Sequence, residues 1–260
     1  MTNSRREFLK IASAGAACAR LAVSAVSEPT LGMIFPPANY PVPPEAHRMY
    51  PSGIRFLGEG VGLPSMTPEG YDSVIDKIIP TAMRLAKGGS NAISIMGTSL
   101  TFYKGAAFNK QLQDAVSKAT GLPATTMSNG IIEGLKVAGA RRLAVATAYN
   151  EEVTDRLKAF LHENGFEVVA AKGLGISLNI PQAAQDGLLE FSAGVKESAP
   201  TADALLISCG GLKTLDLLVP LENRCGVPVV SSQPHGLWNG VKLLGLSGRV
   251  EGYGSVLAKG

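Results

Sequence analysis

The chain is poor in the residues that build metal and redox centres. Its 260 residues include three cysteines (Cys18, Cys209, Cys225) and three histidines (His47, His162, His235). No C-x-x-C pair and no H-E-x-x-H spacing is present, so a zinc site is not expected. Charge is also sparse, with 17% charged residues and a formal net charge of +3. No dense Lys/Arg patch with interleaved aromatics occurs, which removes nucleic acid from the expected partners. The pair Arg141-Arg142 reads as a solvated face before a strand. The 45% hydrophobic content describes an ordinary globular core, long enough for one large or two small α/β domains.

The N-terminus departs from globular character. Ser4-Arg5-Arg6-Glu7-Phe8-Leu9-Lys10 fits the twin-arginine export signature. The Ala-rich run from Ile11 to Val26 follows, interrupted by Arg20 and too short and weakly apolar for a membrane span. Ala25-Val26-Ser27 is a candidate cleavage site, which makes 1–27 a signal peptide that removes Cys18. The expected location is periplasmic, with the twin-arginine machinery as a transient partner. If the signal is unused, the chain stays in the cytoplasm.

Beyond the signal, strands and helices alternate. Thr30–Phe35 reads as a strand stopped by Pro36-Pro37, and 38–51 as an irregular flap. A strand at Ile54-Arg55-Phe56-Leu57 leads to Gly58-Glu59-Gly60-Val61-Gly62-Leu63. That loop imitates a dinucleotide fingerprint but carries Leu63 where the third glycine belongs, so no nucleotide site is expected. Thr67 caps a helix with Pro68 in its first turn, continuing towards Leu85 with a kink at Pro80. Then come a strand over 92–96, the turn Gly97-Thr98-Ser99, a helix over 109–120, a strand near 121–126 and a helix over 130–138. The second half restarts with a strand at 142–147, a helix over 152–164 closed by Gly165, a strand over 166–171, a loop over 173–180 and a helix over 181–198. A strand over 204–207 delivers Ser208-Cys209-Gly210-Gly211, followed by a helix from near Leu212 to Arg224. A strand over 227–230, a helix over 234–244 and a loose Gly-rich tail complete the chain.

The halves match in residues as well as in order. Gly121-Leu122-Pro123 with Asn129-Gly130-Ile131-Ile132-Glu133-Gly134 is echoed by Gly226-Val227-Pro228 with His235-Gly236-Leu237-Trp238-Asn239-Gly240. Alternation predicts parallel sheets, and duplication predicts two similar Rossmann-like lobes. The expected fold is α/β, with two parallel four-stranded sheets related by a pseudo-twofold axis. The lobes would comprise 31–125 plus 232–260, and 126–231. Ligands in such folds sit beyond the carboxyl ends of the strands. The cleft is then lined by Pro36, Pro37, Gly97, Thr98, Ser99, Tyr149, Cys209 and Gly210.

Thr98, Ser99 and Tyr149 are neutral hydroxyl donors, and the turns at 97–99 and 210–211 offer backbone N–H groups. Together they can hold a carboxylate or the charge that develops on one. Cys209 can give or take a proton at one face of a bound carbon. A free cysteine is often just a small buried hydrophobe, but a strand end followed by two glycines is a position for reactivity. Cys225, at a helix end, reads as structural, and no Cys209–Cys225 bridge is expected.

These residues resemble the aspartate/glutamate racemase superfamily, whose enzymes face two cysteines across a substrate carbon. Here the first of those positions is Gly97. One thiol does not support symmetrical two-base racemisation, but it can protonate a carbanion left by loss of carbon dioxide from a malonate. Gly32-Met33-Ile34-Phe35-Pro36-Pro37, Met66-Thr67-Pro68-Glu69-Gly70-Tyr71-Asp72, Met96-Gly97-Thr98-Ser99-Leu100, Ala146-Thr147-Ala148-Tyr149 and Ser208-Cys209-Gly210-Gly211-Leu212 resemble the arylmalonate decarboxylase family. The resemblance implies enantioselective, cofactor-free decarboxylation of α-aryl malonates, small dicarboxylates, by a chain expected to be monomeric. It implies that Thr98, Ser99, Tyr149 and the backbone near Ser99 and Gly210 hold the retained carboxylate. Pro36, Pro37, Leu63, Met66 and Tyr71 would line the pocket of the leaving one. Asn179 and Gln182 fall where the family has aliphatic pocket residues, which puts the substrate range in question. Two alternatives stand beside this reading: another superfamily enzyme, a racemase or maleate isomerase, and an exported carboxylate-binding protein without turnover.

Overall fold

The computed structural model describes residues 28–180 and 182–260, so the expected signal peptide over 1–27, with Cys18, lies outside the described residues. The first sheet contains Thr30–Phe35 (β1), Arg55–Gly60 (β2), Ala92–Ile95 (β3) and Ala124–Thr126 (β4), in the order β2-β1-β3-β4. The second contains Arg142–Thr147 (β5), Glu167–Gly173 (β6), Ala204–Ser208 (β7) and Val229–Ser231 (β8), in the order β6-β5-β7-β8. Every pairing is parallel. The same order occurs twice, so the two similar lobes expected from the sequence are present. The central strands β1 and β7 are buried along their whole length, as unbroken apolar runs covered on both faces should be.

Eleven helices are described: Pro44–Met49 (α1), Pro68–Ile75 (α2), Ile78–Lys87 (α3), Thr98–Phe102 (α4), Gly105–Thr120 (α5), Met127–Ala138 (α6), Glu151–Glu163 (α7), Gln182–Asp186 (α8), Leu188–Glu197 (α9), Leu218–Cys225 (α10) and Ser232–Lys242 (α11). Local chemistry starts several of them. The Thr67 hydroxyl accepts the Gly70 N–H at 3.2 Å, and Asn150 accepts the Val153 N–H at 2.9 Å.

The duplicated glycines have a packing reason. Helix α6 lies against α11. A β-carbon on Gly130 would meet the His235 carbonyl oxygen at 2.5 Å, and one on Gly236 would meet Met127 Cγ at 2.9 Å. The two helices therefore cross at near-backbone distance, and only glycine fits there. Helix α11 also packs on β3 and β4 of the first sheet, and α6 on β8 of the second, so this crossing ties the lobes together.

Several boundaries differ from the sequence expectation. The flap contains α1, whose Glu45 and Ala46 are buried. The break after Ile75 falls at Asp76-Lys77, leaving Pro80 in the first turn of α3, where its missing N–H costs nothing. The turn at Gly97 opens α4 directly. The helix expected over 181–198 is two helices divided at Gly187. No helix starts at Leu212: a turn and a short 3-10 segment, Leu215–Leu217, precede α10. The tail is not loose, since Val250, Val256 and Leu257 are buried and the Glu222 carboxylate accepts the Ser255 N–H at 2.9 Å. No helix among the described residues is long and apolar enough to cross a membrane.

Candidate active site

The carboxyl ends of β1, β3, β5 and β7 deliver Pro36, Gly97, Tyr149 and Cys209. Cys209 is 6% exposed. Its backbone N–H donates to the Ser232 hydroxyl at 3.0 Å, which fixes the strand exit. Burial pushes the thiol up to about 11, against the opposing pull of the Gly211 amide, the Tyr149 hydroxyl and the Leu212 amide. The sulfur is thus a protonated thiol at neutral pH, with groups already placed to receive charge on it.

The hydroxyls gather beside it. Tyr149 is buried, packs edge-on to Phe102 with centroids 5.8 Å apart, and pairs with the Ser208 hydroxyl at 3.4 Å. Its phenol is held well above its ordinary range, first by burial and then by the nearby Cys209 charge, while the Ser208 and Ser99 hydroxyls oppose the rise. Thr98 and Ser99 are the first residues of α4, so their N–H groups have no partner inside that helix. The Thr98 hydroxyl donates to Met127 Sδ at 2.9 Å. Tyr71 is fully buried, and its hydroxyl has no hydrogen-bond partner. Burial raises its phenol, with the Ser99 hydroxyl acting against that rise and the Cys209 charge adding to it. Tyr71 therefore brings an unsatisfied donor to the site as well as an apolar ring, and an oxygen-bearing ligand would satisfy it.

Pro36 lies against Gly97: a β-carbon there would stand 2.7 Å from Pro36 Cγ. Leu63 and Met66, partly buried, follow β2, and the Leu63 N–H donates to the Pro36 carbonyl at 2.7 Å. The Met66 N–H donates to the Ser177 carbonyl at 2.7 Å, joining loops of the two lobes. Pro37 is exposed.

Asn179 and Gln182 are not brought to the site. Both are exposed, and Gln182 donates to Asp186 at 2.8 Å along its own helix. Ile180 is the residue that turns inward: a β-carbon on Gly211 would meet its Cδ1 at 2.8 Å, and Cys209 Sγ at 3.9 Å. Gly210 backs onto Met127, 3.0 Å from where its β-carbon would be.

Three further residues were not singled out from sequence. Tyr40, in the flap, stacks on Phe35 with centroids 5.0 Å apart. Its phenol is raised by burial and then by the charges of Glu45 and Cys209. An aromatic so soon after Pro36-Pro37 was the available signal. Gln233 donates to Glu45 at 3.1 Å, both buried, which pins the flap to α11 beside Ser232. Gln185 accepts from the Lys213 N–H and donates to the Gly211 carbonyl. Cys209 and Cys225 are both free. Among the described residues no group of three or more His, Cys, Asp or Glu side chains could hold a metal. Two surface cavities, of about 290 and 300 Å³, lie beside α3 and beside the ends of β5 and β6; neither includes Cys209.

Comparison with known proteins agrees with this geometry. Residues 31–257 match the family model described as arylmalonate decarboxylase. The arylmalonate decarboxylase of Bordetella bronchiseptica is 48% identical over 231 residues, covering 88% of this chain and 96% of the other. A crystal structure of arylmalonate decarboxylase superposes with a TM-score of 0.79 at 43% identity, covering 89% of this chain and all of that one (100%). The maleate isomerase of Pseudomonas putida S16 shares the fold, with a TM-score of 0.80 at 22% identity over 88% of this chain and 98% of that one. The chain belongs to the arylmalonate decarboxylase family.

Proposed function

We propose that the protein is a cofactor-free carboxy-lyase that converts α-aryl and α-aryl-α-methyl malonates into single enantiomers of the corresponding monoacids. One observation carries this reading: a single thiol, Cys209, stands at the end of β7, while the equivalent end of β3 holds Gly97. One proton donor and no opposing base suit one-sided protonation better than racemisation or isomerisation.

The retained carboxylate is assigned to the Thr98, Ser99 and Tyr149 hydroxyls and the Ser99 and Gly210 amides. The second carboxylate faces Pro36, Leu63, Met66 and the ring of Tyr71. Little there solvates its charge, so departure as neutral carbon dioxide is favoured. The C–C bond electrons pass into the retained carboxylate, giving an enediolate that the hydrogen-bond donors stabilise. The Cys209 thiol then places its proton on the planar carbon from one face. The resulting thiolate recovers a proton from solvent, so each turnover consumes one proton and releases one carbon dioxide.

The N-terminal Ser4-Arg5-Arg6 motif supports export by the twin-arginine route, which carries proteins already folded. Replacing Arg5-Arg6 by Lys-Lys and fractionating cells tests it, with loss of periplasmic protein the expected result.

For the reaction, purified protein is incubated with phenylmalonate and its α-methyl derivative. Carbon dioxide release and an enantiomeric excess in the product are expected. Cys209→Ala should lose at least about 1000-fold in kcat, the scale of a missing general acid. A folded wild-type protein that releases no carbon dioxide from any disubstituted malonate overturns the proposal.

A further inference from the structure

The segment between β7 and α10 carries the Cys209 chemistry yet has little regular structure of its own. From 209 to 214 it forms a turn, closed on one side by the Leu212 N–H donating to the Cys209 carbonyl at 3.2 Å. Its ends are held by the Ser232 hydroxyl at Cys209 and the Ser231 hydroxyl at Thr214, and its middle by one side chain from α8. Gln185 Nε2 donates to the Gly211 carbonyl at 2.9 Å, and its Oε1 accepts the Lys213 N–H at 3.1 Å. A carboxamide is the side-chain group that gives one donor and one acceptor at this spacing. Gln185 reaches in from α8, a short helix ending at Asp186 and preceded by the loop in which Ile180 packs on Gly211.

We infer that Gln185 is a positioning residue for the proton-transfer step: its carboxamide clamps the Gly211–Lys213 turn so that the backbone of Gly211, where a β-carbon would stand 3.9 Å from Cys209 Sγ, stays beside the sulfur. This role rests on the proposed decarboxylation, in which the thiol gives its proton to the enediolate carbon and keeps the electron pair as a thiolate. Burial opposes that thiolate, and the backbone of the adjoining turn is among the few groups that favour it. Both recorded hydrogen bonds of the Gln185 side chain go to this turn, so it acts through Cys209 rather than on substrate.

The test uses Gln185→Met, which keeps the length and bulk of the side chain but removes both hydrogen bonds. Two readouts are taken on the purified full chain. The first is the pH midpoint of Cys209 alkylation by iodoacetamide, read by mass spectrometry on the Cys209 peptide. The other titratable groups that act on this thiol are Tyr40, Tyr71 and Tyr149, from the flap, α2 and the end of β5. All three are held above the ordinary tyrosine value, mainly by burial. The second readout is kcat against KM for a disubstituted malonate.

In Gln185→Met the alkylation midpoint should rise by about half to one pH unit, the expected size for losing oriented donors to a charged sulfur. The kcat should fall about 10-fold with KM changed less than about threefold. Gln185→Glu keeps the acceptor for the Lys213 N–H but sets a carboxylate against the Gly211 carbonyl and adds a negative charge near the sulfur, so its midpoint should rise at least as far as that of Gln185→Met. A midpoint that does not move in a folded Gln185→Met protein overturns the inference, whatever happens to kcat. A rise in KM with kcat unchanged overturns it too, by placing Gln185 with the substrate pocket. A wild-type protein that decarboxylates nothing removes the proposed reaction, yet the midpoint comparison still decides whether Gln185 governs the thiol.

Discussion

Gly97 and Pro36 stand closer than any side chain at 97 would allow, with Pro36 Cγ 2.7 Å and Cδ 3.3 Å from the position of a β-carbon on Gly97. The backbone at Gly97 is extended (φ −138°, ψ 98°), so the obstacle to a larger residue is space alone. Pro36 is a closed ring whose carbonyl is held by the Leu63 N–H, and it has no flexible end to swing away. Gly97→Cys should therefore displace Pro36 at a stability cost of about 1–3 kcal/mol. It should also place a second thiol at the end of β3, the counterpart of Cys209 at the end of β7. Solvent-deuterium exchange at the α-carbon of 2-arylpropionates, followed by NMR, should appear in this variant, while decarboxylation falls about 10-fold as the pocket shifts. No exchange in a folded variant would count against the paired-site geometry.

Thr98 gives its hydroxyl proton to Met127 Sδ at 2.9 Å, a weak acceptor that a carboxylate oxygen readily outcompetes. Thr98→Val keeps the shape and removes the donor. Decarboxylation should fall about 100-fold in kcat, the usual scale for one oxyanion donor, while thermal stability changes little. Steady-state kinetics beside a melting curve separate the two effects, and an unchanged kcat would remove Thr98 from the reacting carboxylate.

The framework was legible where local chemistry suffices. Pro36-Pro37 ends β1, Thr67 and Pro68 start α2, and the repeated glycines of α6 and α11 announced duplication. What stayed hidden depends on partners distant in sequence. The start of α5 is capped by Glu163, which accepts the Ala106 N–H, so nothing nearby marks it. Asn109 resembles a helix start but is buried, bonded to Thr126 and Asn129. At the site, Cys209, Tyr149, Thr98 and Ser99 were readable as strand-end residues. The inward turn of Ile180 instead of Asn179, and the reach of Gln185 to the Gly211–Lys213 turn, follow from how α8 sits against α9 and the turn after β7. One residue of register in that loop decides which side chain faces inward, and no local pattern records it.

The Cys209 thiol is held at about 11 against an ordinary value of 9.0, mainly by burial. As an acid it should stay protonated through neutral and mildly alkaline pH, so kcat/KM should hold there and fall only as pH approaches about 11. The same shift bears on stability. The folded chain holds this proton more tightly than the unfolded one, so the contribution is complete below the unfolded value near 9.0 and is lost as pH rises towards about 11. Cys209→Ser should flatten that alkaline slope in chemical unfolding. An equal slope in both proteins would assign the alkaline loss to other groups.

His235 sets the acid side. It is fully buried where α6 and α11 cross, its Nδ1 accepting the Ser231 N–H at 3.1 Å and its Nε2 without a partner. Burial pulls its pKa down from 6.5 to about 4, opposed by the Ser231 backbone. The unfolded chain takes up a proton near 6.5 that the folded chain refuses until about 4. Its contribution is therefore present above about 6.5 and is lost as pH falls towards 4, by up to about 3 kcal/mol. Charging the ring also places an unpartnered cation where Gly130 and Gly134 leave no room for water, so the lobes should loosen at this crossing first. His235→Leu removes both the titration and the unsatisfied Nε2. Urea unfolding at about pH 7 and about pH 4.5 should show a smaller loss of stability in the variant than in wild type. At neutral pH the variant should stay within about 1 kcal/mol of wild type, because it gives up one accepted hydrogen bond and sheds one buried unpaired nitrogen. An equal acid loss in both proteins would move the pH sensitivity away from the helix crossing.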